Sequence, residues 1–406
     1  MRYAQRGTQL VTLTEQQPHD LPADALDEAA ATLLHQRYRA QIDLEPPSFK
    51  TGGMWRLTAQ GWVGQLPLTR RLSLVLQPKV PLANLFGMIE TAYDLGELQT
   101  LPGVVQVATL PQLYAHLAHL LAQRVLAQGR TGLYRAYIDQ TAPLTTVRGR
   151  IRTAGMGTAL AVAALPCTHH TLTADVEDNR ILAWTLHTLA QSGLCQGEAQ
   201  RVVNLARQQL LAQVTLTPLA ASVCRGRSYT RLNHAYAALH ALCAFFLEQR
   251  GPGHRVGDRL MTPFLIDMAR LYERFVARQL AHRLGGAYRV RAQVQTPVGR
   301  DLRFTLDLLI SDAHRRWVVD TKYKTPVGGP AAADVAQVLA YAQVADAQEA
   351  VLVYPVPLAQ PLDTTIRGIR IRTLTFALDR TAPGNLDAAG EDFVAGLLAA
   401  RPHGED

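Results

Sequence analysis

Two runs of strand-forming residues, Leu302–Ser311 and residues 316–324, flank the short turn Asp312-Ala313-His314, and each is interrupted by charge inside an otherwise apolar stretch. This pair limits the folds open to the chain. A helical pattern over residues 263–284 precedes it, with Phe264, Met268, Leu271 and Phe275 on one stripe, and a helix N-capped by Asp334 and running to about 347 follows it. Short strands come next at 350–354 and 369–376. The order helix, strand, strand, helix, strand, strand predicts a mixed sheet flanked by helices, with a parallel crossover through the Asp334 helix.

The charges themselves are Asp307 in Leu306-Asp307-Leu308, and Asp320 and Lys322 in Val318-Val319-Asp320-Thr321-Lys322-Tyr323-Lys324. Side chains alternate along a strand, so Asp320 and Lys322 share a face, and the hairpin brings Asp307 alongside. Clustered carboxylates repel, and such a site wants a hard cation. Mg²⁺ fits, because one or two carboxylates commonly hold it while waters and phosphate oxygens fill the remaining positions. It would polarise a scissile phosphate and lower the pKa of a bound water. Lys322 would orient or deprotonate that water, or balance charge in the transition state. Glu273, on the preceding helix, offers a third carboxylate. An isolated Asp-x-Lys is ordinarily a solvated strand face. Against that reading, Trp317, Val318 and Val319 make the strand core-like, and two of the four lysines in the chain stand here, the others being Lys50 and Lys79.

The rest of the chain suits a multidomain α/β (α+β) protein. Its 406 residues exceed one ordinary core. We expect a β-rich N-terminal module over 1–95, a mostly helical middle over 96–250, and a C-terminal domain over 251–406, with the Gly251-Pro252-Gly253 cluster as the clearest boundary. In the first part, 22–39 reads as a helix, 54–58, 62–66 and 72–77 as strands, and 81–95 as a helix. In the middle, 111–128, 178–190, 198–213 and 232–249 read as helices, and 133–138 with 145–151 as a hairpin. The balance of 41 Lys plus Arg against 33 Asp plus Glu, net +8, suits a polyanionic partner such as nucleic acid. No apolar run reaches the length of a membrane span and the N-terminus lacks an apolar signal core, so a cytoplasmic protein with no membrane association is expected. Four scattered cysteines argue against a disulfide framework and fit a reducing compartment. His116 with His119, and Cys167-Thr168-His169-His170, lack zinc-site spacing and read as structural. The chain has no phosphate-binding Gly-x-x-x-x-Gly-Lys-Ser/Thr loop and no Gly-x-Ser-x-Gly elbow.

The C-terminal motifs resemble the PD-(D/E)XK nuclease superfamily and, more narrowly, the McrC family, the nuclease subunit of McrBC-type modification-dependent restriction systems. The resemblance rests on Phe264-Leu265-Ile266-Asp267-Met268 with Leu271-Tyr272-Glu273-Arg274-Phe275-Val276, on Leu306-Asp307-Leu308, on Val319-Asp320-Thr321-Lys322-Tyr323-Lys324, and on the helix from Asp334 through Gln337 to Tyr341. Upstream, Gln77-Pro78-Lys79-Val80, Val147-Arg148-Gly149-Arg150-Ile151 and Glu177-Asp178-Asn179-Arg180 also look like that family. Leu306 departs from the proline usual before the first aspartate.

The resemblance implies a Mg²⁺-dependent DNA endonuclease with Asp307, Asp320 and Lys322 as its catalytic core. Asp307, Asp320, the Thr321 carbonyl and Glu273 would be the metal ligands. Lys324, Gln337 and Tyr341 become candidates for the site or the DNA backbone, with helix packing an equal reading of Tyr341. It further implies a McrB-like AAA+ partner that binds and hydrolyses GTP and recognises modified cytosine in methylated DNA. This chain would stimulate that hydrolysis, docking through residues 1–95 and on into the middle. Arg148 and Arg150 are candidates for partner or phosphate contacts, and solvated strand arginines are the alternative. Two other classes stay open: an autonomous Mg²⁺-dependent nuclease, and a non-catalytic scaffold that activates an AAA+ ring.

Overall fold

Leu72, Leu74 and Leu76 lie in a strand buried on both sides, and segments from both ends of the chain build its surroundings. The computed structural model describes residues 9–69, 72–96, 109–152, 164–251, 254–256, 259–261, 263–379 and 385–399. They fall into two units, Met1–Leu110 with Gly251–Asp406, and Pro111–Arg250. Residues expected as separate first and last parts therefore belong to one unit. Pro252 and Gly253 of the expected boundary lie outside the described residues.

The N-terminal part of the first unit comprises β1 (Gln9–Thr14), β2 (Pro18–Leu21), α1 (Glu28–Arg37), β3 (Ile42–Glu45), β4 (Trp55–Ala59), β5 (Trp62–Pro67), β6 (Leu72–Gln77) and α2 (Leu82–Tyr93). The first helix begins later than the expected residue 22, because the Asp27 carboxylate accepts the Ala30 amide at 2.7 Å and caps it there.

The second unit holds α3 (Leu110–Thr131), β7 (Ala136–Leu144), β8 (Arg150–Ile151), β9 (Leu165–Thr173), α4 (Glu177–Gln191), α5 (Gly197–Leu211) and α6 (Tyr236–Glu248). The expected hairpin between 133–138 and 145–151 does not form. Both strands pair instead with β9, in the order β7-β9-β8. The Glu177–Arg180 motif is a packing hub. The buried Asn179 amide donates to the Tyr134 and Ala174 carbonyls and its oxygen accepts the Tyr236 hydroxyl, while Asp178 pairs with Arg227 at 3.0 Å.

The first unit resumes with β10 (His254–Val256), β11 (Arg259–Met261), β12 (Phe264–Asp267), α7 (Met268–Leu284), β13 (Arg289–Val298), β14 (Leu302–Ser311), β15 (Arg316–Thr321), α8 (Ala332–Val344), β16 (Glu349–Tyr354), β17 (Asp363–Ile366), β18 (Ile369–Thr375) and α9 (Asn385–Leu398). The expected helix over 263–284 is split. Residues 264–267 pair antiparallel with β5, completing a sheet ordered β1-β6-β5-β12, and the Asp267 carboxylate caps α7 through the Arg270 amide at 3.1 Å. Gly64 makes this pairing possible. Its φ is +146° and a Cβ there would come 2.0 Å from the Phe264 carbonyl oxygen. Gly64→Ala is therefore expected to destabilise the protein by about 2–4 kcal/mol, read as a lowered denaturation midpoint, because backbone rather than a side chain must give way.

The larger sheet runs β13-β14-β15-β16-β18-β17, antiparallel through its first three strands, parallel across β15, β16 and β18, and antiparallel again at β17. This is the expected mixed sheet with its crossover through α8. Strands β13 and β17 and helix α9 were not expected. Leu306, Val318, Val338, Leu352 and Ile371 are among the residues of its core. Among the described residues no helix is long and apolar enough to cross a membrane.

Candidate active site

Strands β14 and β15 carry the charged residues at the point where their ladder ends. The last recorded pair is Leu308 with Val319, and Asp307 and Asp320 follow it on the two strands. Thr321 fixes the Asp307 carboxylate, donating to its Oδ2 from the backbone amide at 2.9 Å and from the hydroxyl at 3.0 Å. Asp320 is 2% exposed, and Lys322 Nζ lies 2.6 Å from its Oδ2. Burial, then the neighbouring Asp307 charge, push the Asp320 carboxyl up to about 6 against the opposing pull of Lys322. The Lys322 ammonium is thus the cation that compensates this buried carboxylate oxygen.

The strand ends at Thr321, earlier than the expected residue 324, so Lys322 and Lys324 stand beyond the ladder. Helix α8 takes over their placement. Lys322 donates to Gln337 Oε1 at 2.8 Å, and Gln337 Nε2 donates to the Tyr341 hydroxyl at 2.8 Å. These two residues, one helical turn apart, form a single chain of hydrogen bonds to the lysine, and Tyr341 also packs its ring against Phe304. Lys324 meets Asp334 Oδ2 at 2.5 Å, and Lys322 lies 4.0 Å from Asp334 Oδ1. Asp334 is not the expected N-cap, a position held by Ala331. It is a buried first-turn carboxylate shared by both lysines, and the Tyr354 hydroxyl approaches it at 3.5 Å. Its three-residue separation from Gln337 was the available signal, since that spacing puts both on one helix face.

Glu273 reaches the same region from α7. Burial, reinforced by the Asp307 charge, raises its carboxyl to about 7, and Gln293 donates a hydrogen bond to its Oε1. Gln293 went unnoticed in the sequence. It lies in β13 with φ +52°, a left-handed conformation unusual for a residue with a side chain. Its position is opposite the Asp307 level of β14, between the pairs Ala292–Leu308 and Val294–Leu306.

Among the described residues no three His, Cys, Asp or Glu side chains converge to hold a metal. The donors present still fit a hard cation of the Mg²⁺ type. They are two carboxylates on adjacent strands, Asp307 held by Thr321 and Asp320 buried beside the lysine, with Thr321 between Asp320 and Lys322 in the chain. Such an ion takes few protein ligands and completes its shell with water and phosphate.

Arg148 and Arg150 are exposed in the second unit. Arg150 pairs across β9 with Thr168, and Arg148 lines a shallow pocket with Val147 and His169. In β9, Cys167 and His169 are buried while His170 pairs with Asp139 at 2.7 Å, an alternation across the strand.

The model of the McrBC 5-methylcytosine restriction system component family matches residues 57–355. A chain of the refined half-complex from a tetradecameric assembly of Thermococcus gammatolerans McrB AAA+ hexamers with bound McrC is similar in fold. It has a TM-score of 0.56 and 16% identity, over 96% of this chain and 100% of that one. A chain of the Thermococcus gammatolerans McrBC complex gives a TM-score of 0.43 and 19% identity, over 67% and 88%. A search of curated proteins finds no match.

Proposed function

Because the chain belongs to the McrBC 5-methylcytosine restriction system component family, we propose that it is the DNA-cutting subunit of such a system. In this reading it hydrolyses phosphodiester bonds with Mg²⁺ at a PD-(D/E)XK-type site and works with a GTP-hydrolysing AAA+ partner of the McrB kind in the cytoplasm. The observation that carries the reading is the Lys322 ammonium 2.6 Å from the buried Asp320 carboxylate, beside the fixed Asp307. A structural ion pair gains little from such burial, whereas a nuclease needs acid ligands and a cation at one point.

Asp307, Asp320 and the Thr321 carbonyl would hold the ion, which when bound supplies Lewis-acid polarisation of the scissile phosphate. Thr321 orients Asp307 by gripping one of its oxygens. Lys322, steered by Gln337, presents its ammonium to the attacking water or to the charge that builds on the phosphoryl oxygens. Asp334 holds Lys324 near the same point, where it is available to a DNA phosphate. Glu273 is an outer carboxylate, tied back by Gln293. The net charge of +8 suits a DNA-bound protein.

The similar Thermococcus gammatolerans assembly contains McrB AAA+ hexamers with bound McrC. That likeness supports binding to an AAA+ ring; in this reading the chain also stimulates the ring's GTP hydrolysis and leaves recognition of methylated DNA to it. Two measurements test the reading apart from cleavage. Mg²⁺ is expected to raise the thermal midpoint of the wild-type chain and to leave that of Asp320→Asn in place. An AAA+ protein of the McrB kind from the same source is expected to co-elute with the chain and hydrolyse GTP faster in its presence. A chain indifferent to both would defeat the proposal.

A further inference from the structure

Tyr323 separates Lys322 from Lys324 just beyond the end of β15, where the Lys322 amide still donates to the Val353 carbonyl at 2.8 Å but the regular ladder is over. Its side chain turns inward and is 8% exposed. The hydroxyl donates to Glu15 Oε2 at 3.2 Å, and Lys79 Nζ stands 4.4 Å from the ring centroid. Both contacts come from the N-terminal sheet. Glu15 follows β1, its amide donating to the Gln77 carbonyl at 2.9 Å, and Lys79 follows β6 in the Gln77-Pro78-Lys79-Val80 segment. On the other side the Tyr272 ring packs on Tyr323 at 5.8 Å, and Tyr272 immediately precedes Glu273.

This cluster is costly as a packing device. Glu15 is 2% exposed, and while its Oε2 accepts Tyr323 and, at 3.4 Å, the Lys79 amide, its Oε1 is buried with no donor. Lys79 spends its ammonium on a ring face and, at 3.3 Å, on Gln16 Oε1. Burial of such charged groups gives little net stability, and apolar residues in place of the whole cluster would serve packing as well.

We propose that Glu15 and Lys79 are positioning residues: by gripping Tyr323 from both its hydroxyl and its ring, they hold Lys322 and Lys324 where phosphodiester cleavage requires them. The inference rests on the nuclease reading. It gives the N-terminal sheet a part in the cut, because the lysine pair leaves its own ladder and is anchored from that sheet instead.

The low lysine count provides a direct probe. Four lysines give four ¹³Cε signals in a lysine-labelled chain, from Lys50, Lys79, Lys322 and Lys324. Tyr323→Phe, which keeps the ring and loses the hydroxyl, and Lys79→Met are expected to shift the Lys322 and Lys324 signals and leave Lys50 in place. In the complete complex the same variants are expected to lower the single-turnover cleavage rate about 10–100-fold at unchanged DNA affinity, measured well below the thermal midpoint of every variant, as misplacement of a reacting group does. Lys79→Arg, which keeps a cation over the ring, is expected to restore most of that rate. Unmoved Lys322 and Lys324 signals with a wild-type rate would overturn the inference, as would a loss that tracks unfolding and is not rescued by arginine. A wild-type complex that cuts and ignores Tyr323→Phe defeats the inference alone. A wild-type complex that cuts nothing defeats the nuclease reading, and the cleavage role of Glu15 and Lys79 falls with it.

Discussion

Lys322→Ala is expected to lower DNA cleavage about 10²–10³-fold or more, the loss typical of a preorganised donor aimed at developing charge. No other group is placed to take over. Lys324 pairs with Asp334 at 2.5 Å while Lys322 is the lysine beside Asp320, and Gln337, which steers Lys322 at 2.8 Å, carries no charge. Association with the AAA+ partner and stimulation of its GTP hydrolysis should persist, since the substitution touches the cleavage site alone. Stability should respond to pH in a defined direction. Without the ammonium, nothing opposes burial and Asp307 in raising the Asp320 carboxyl, which already stands at about 6. The variant thus loses thermal stability relative to wild type at alkaline pH, where Asp320 must ionise, and approaches wild type near pH 5, where its carboxyl keeps a proton.

Asp320→Asn separates catalysis from folding more sharply. Removing a metal-holding carboxylate forfeits several kcal/mol of transition-state stabilisation, about 10³-fold in rate. Its effect on stability should be absent or favourable in metal-free buffer at pH 7.5. The folded-state pKa of Asp320 is raised from 3.8 to about 6. Between those values the unfolded chain has given up a proton that the folded chain retains, so wild-type stability falls as pH rises, and the full cost is present above about 6. Asparagine carries no such cost, and its advantage shrinks as pH falls toward 4. Parallel thermal melts and cleavage assays over pH 4–8 check both halves. Equal losses of activity and stability would assign Asp320 a structural role instead.

Much of the site was legible because its signal is local. Asp320 and Lys322 sit two residues apart in an apolar strand, and one tight turn brings Asp307 to them. Asp334, Gln337 and Tyr341 follow on one helix. Most of what escaped notice depends on distant pairing. Residues 264–267 have the apolar run of a buried helix or a buried strand, and only β5, about two hundred residues earlier, decides for the strand. Gln293 lies in an edge strand whose period-two pattern, Val290, Ala292 and Val294 between Arg291, Gln293 and Gln295, was a readable strand signal that went unused, whereas its link to Glu273 on α7 follows only from the fold. Tyr323 stood in the sequence only as a member of the lysine motif, and its partners Glu15 and Lys79 come from the opposite end of the chain. Lys324 was expected on the same face as Lys322 by strand alternation. Both lysines do approach Asp334, but helix α8 brings them there, since the ladder has already ended.

The most direct test of the central claim is plasmid cleavage in Mg²⁺ by the chain with its AAA+ partner and GTP, on methylated and unmethylated DNA, with Lys322→Ala beside the wild type. The account predicts a cut that requires partner, GTP and methylation and that disappears in the variant while GTP hydrolysis stays stimulated. Cleavage undiminished by Lys322→Ala, or stimulated GTP hydrolysis with no cut by the wild type, would contradict it.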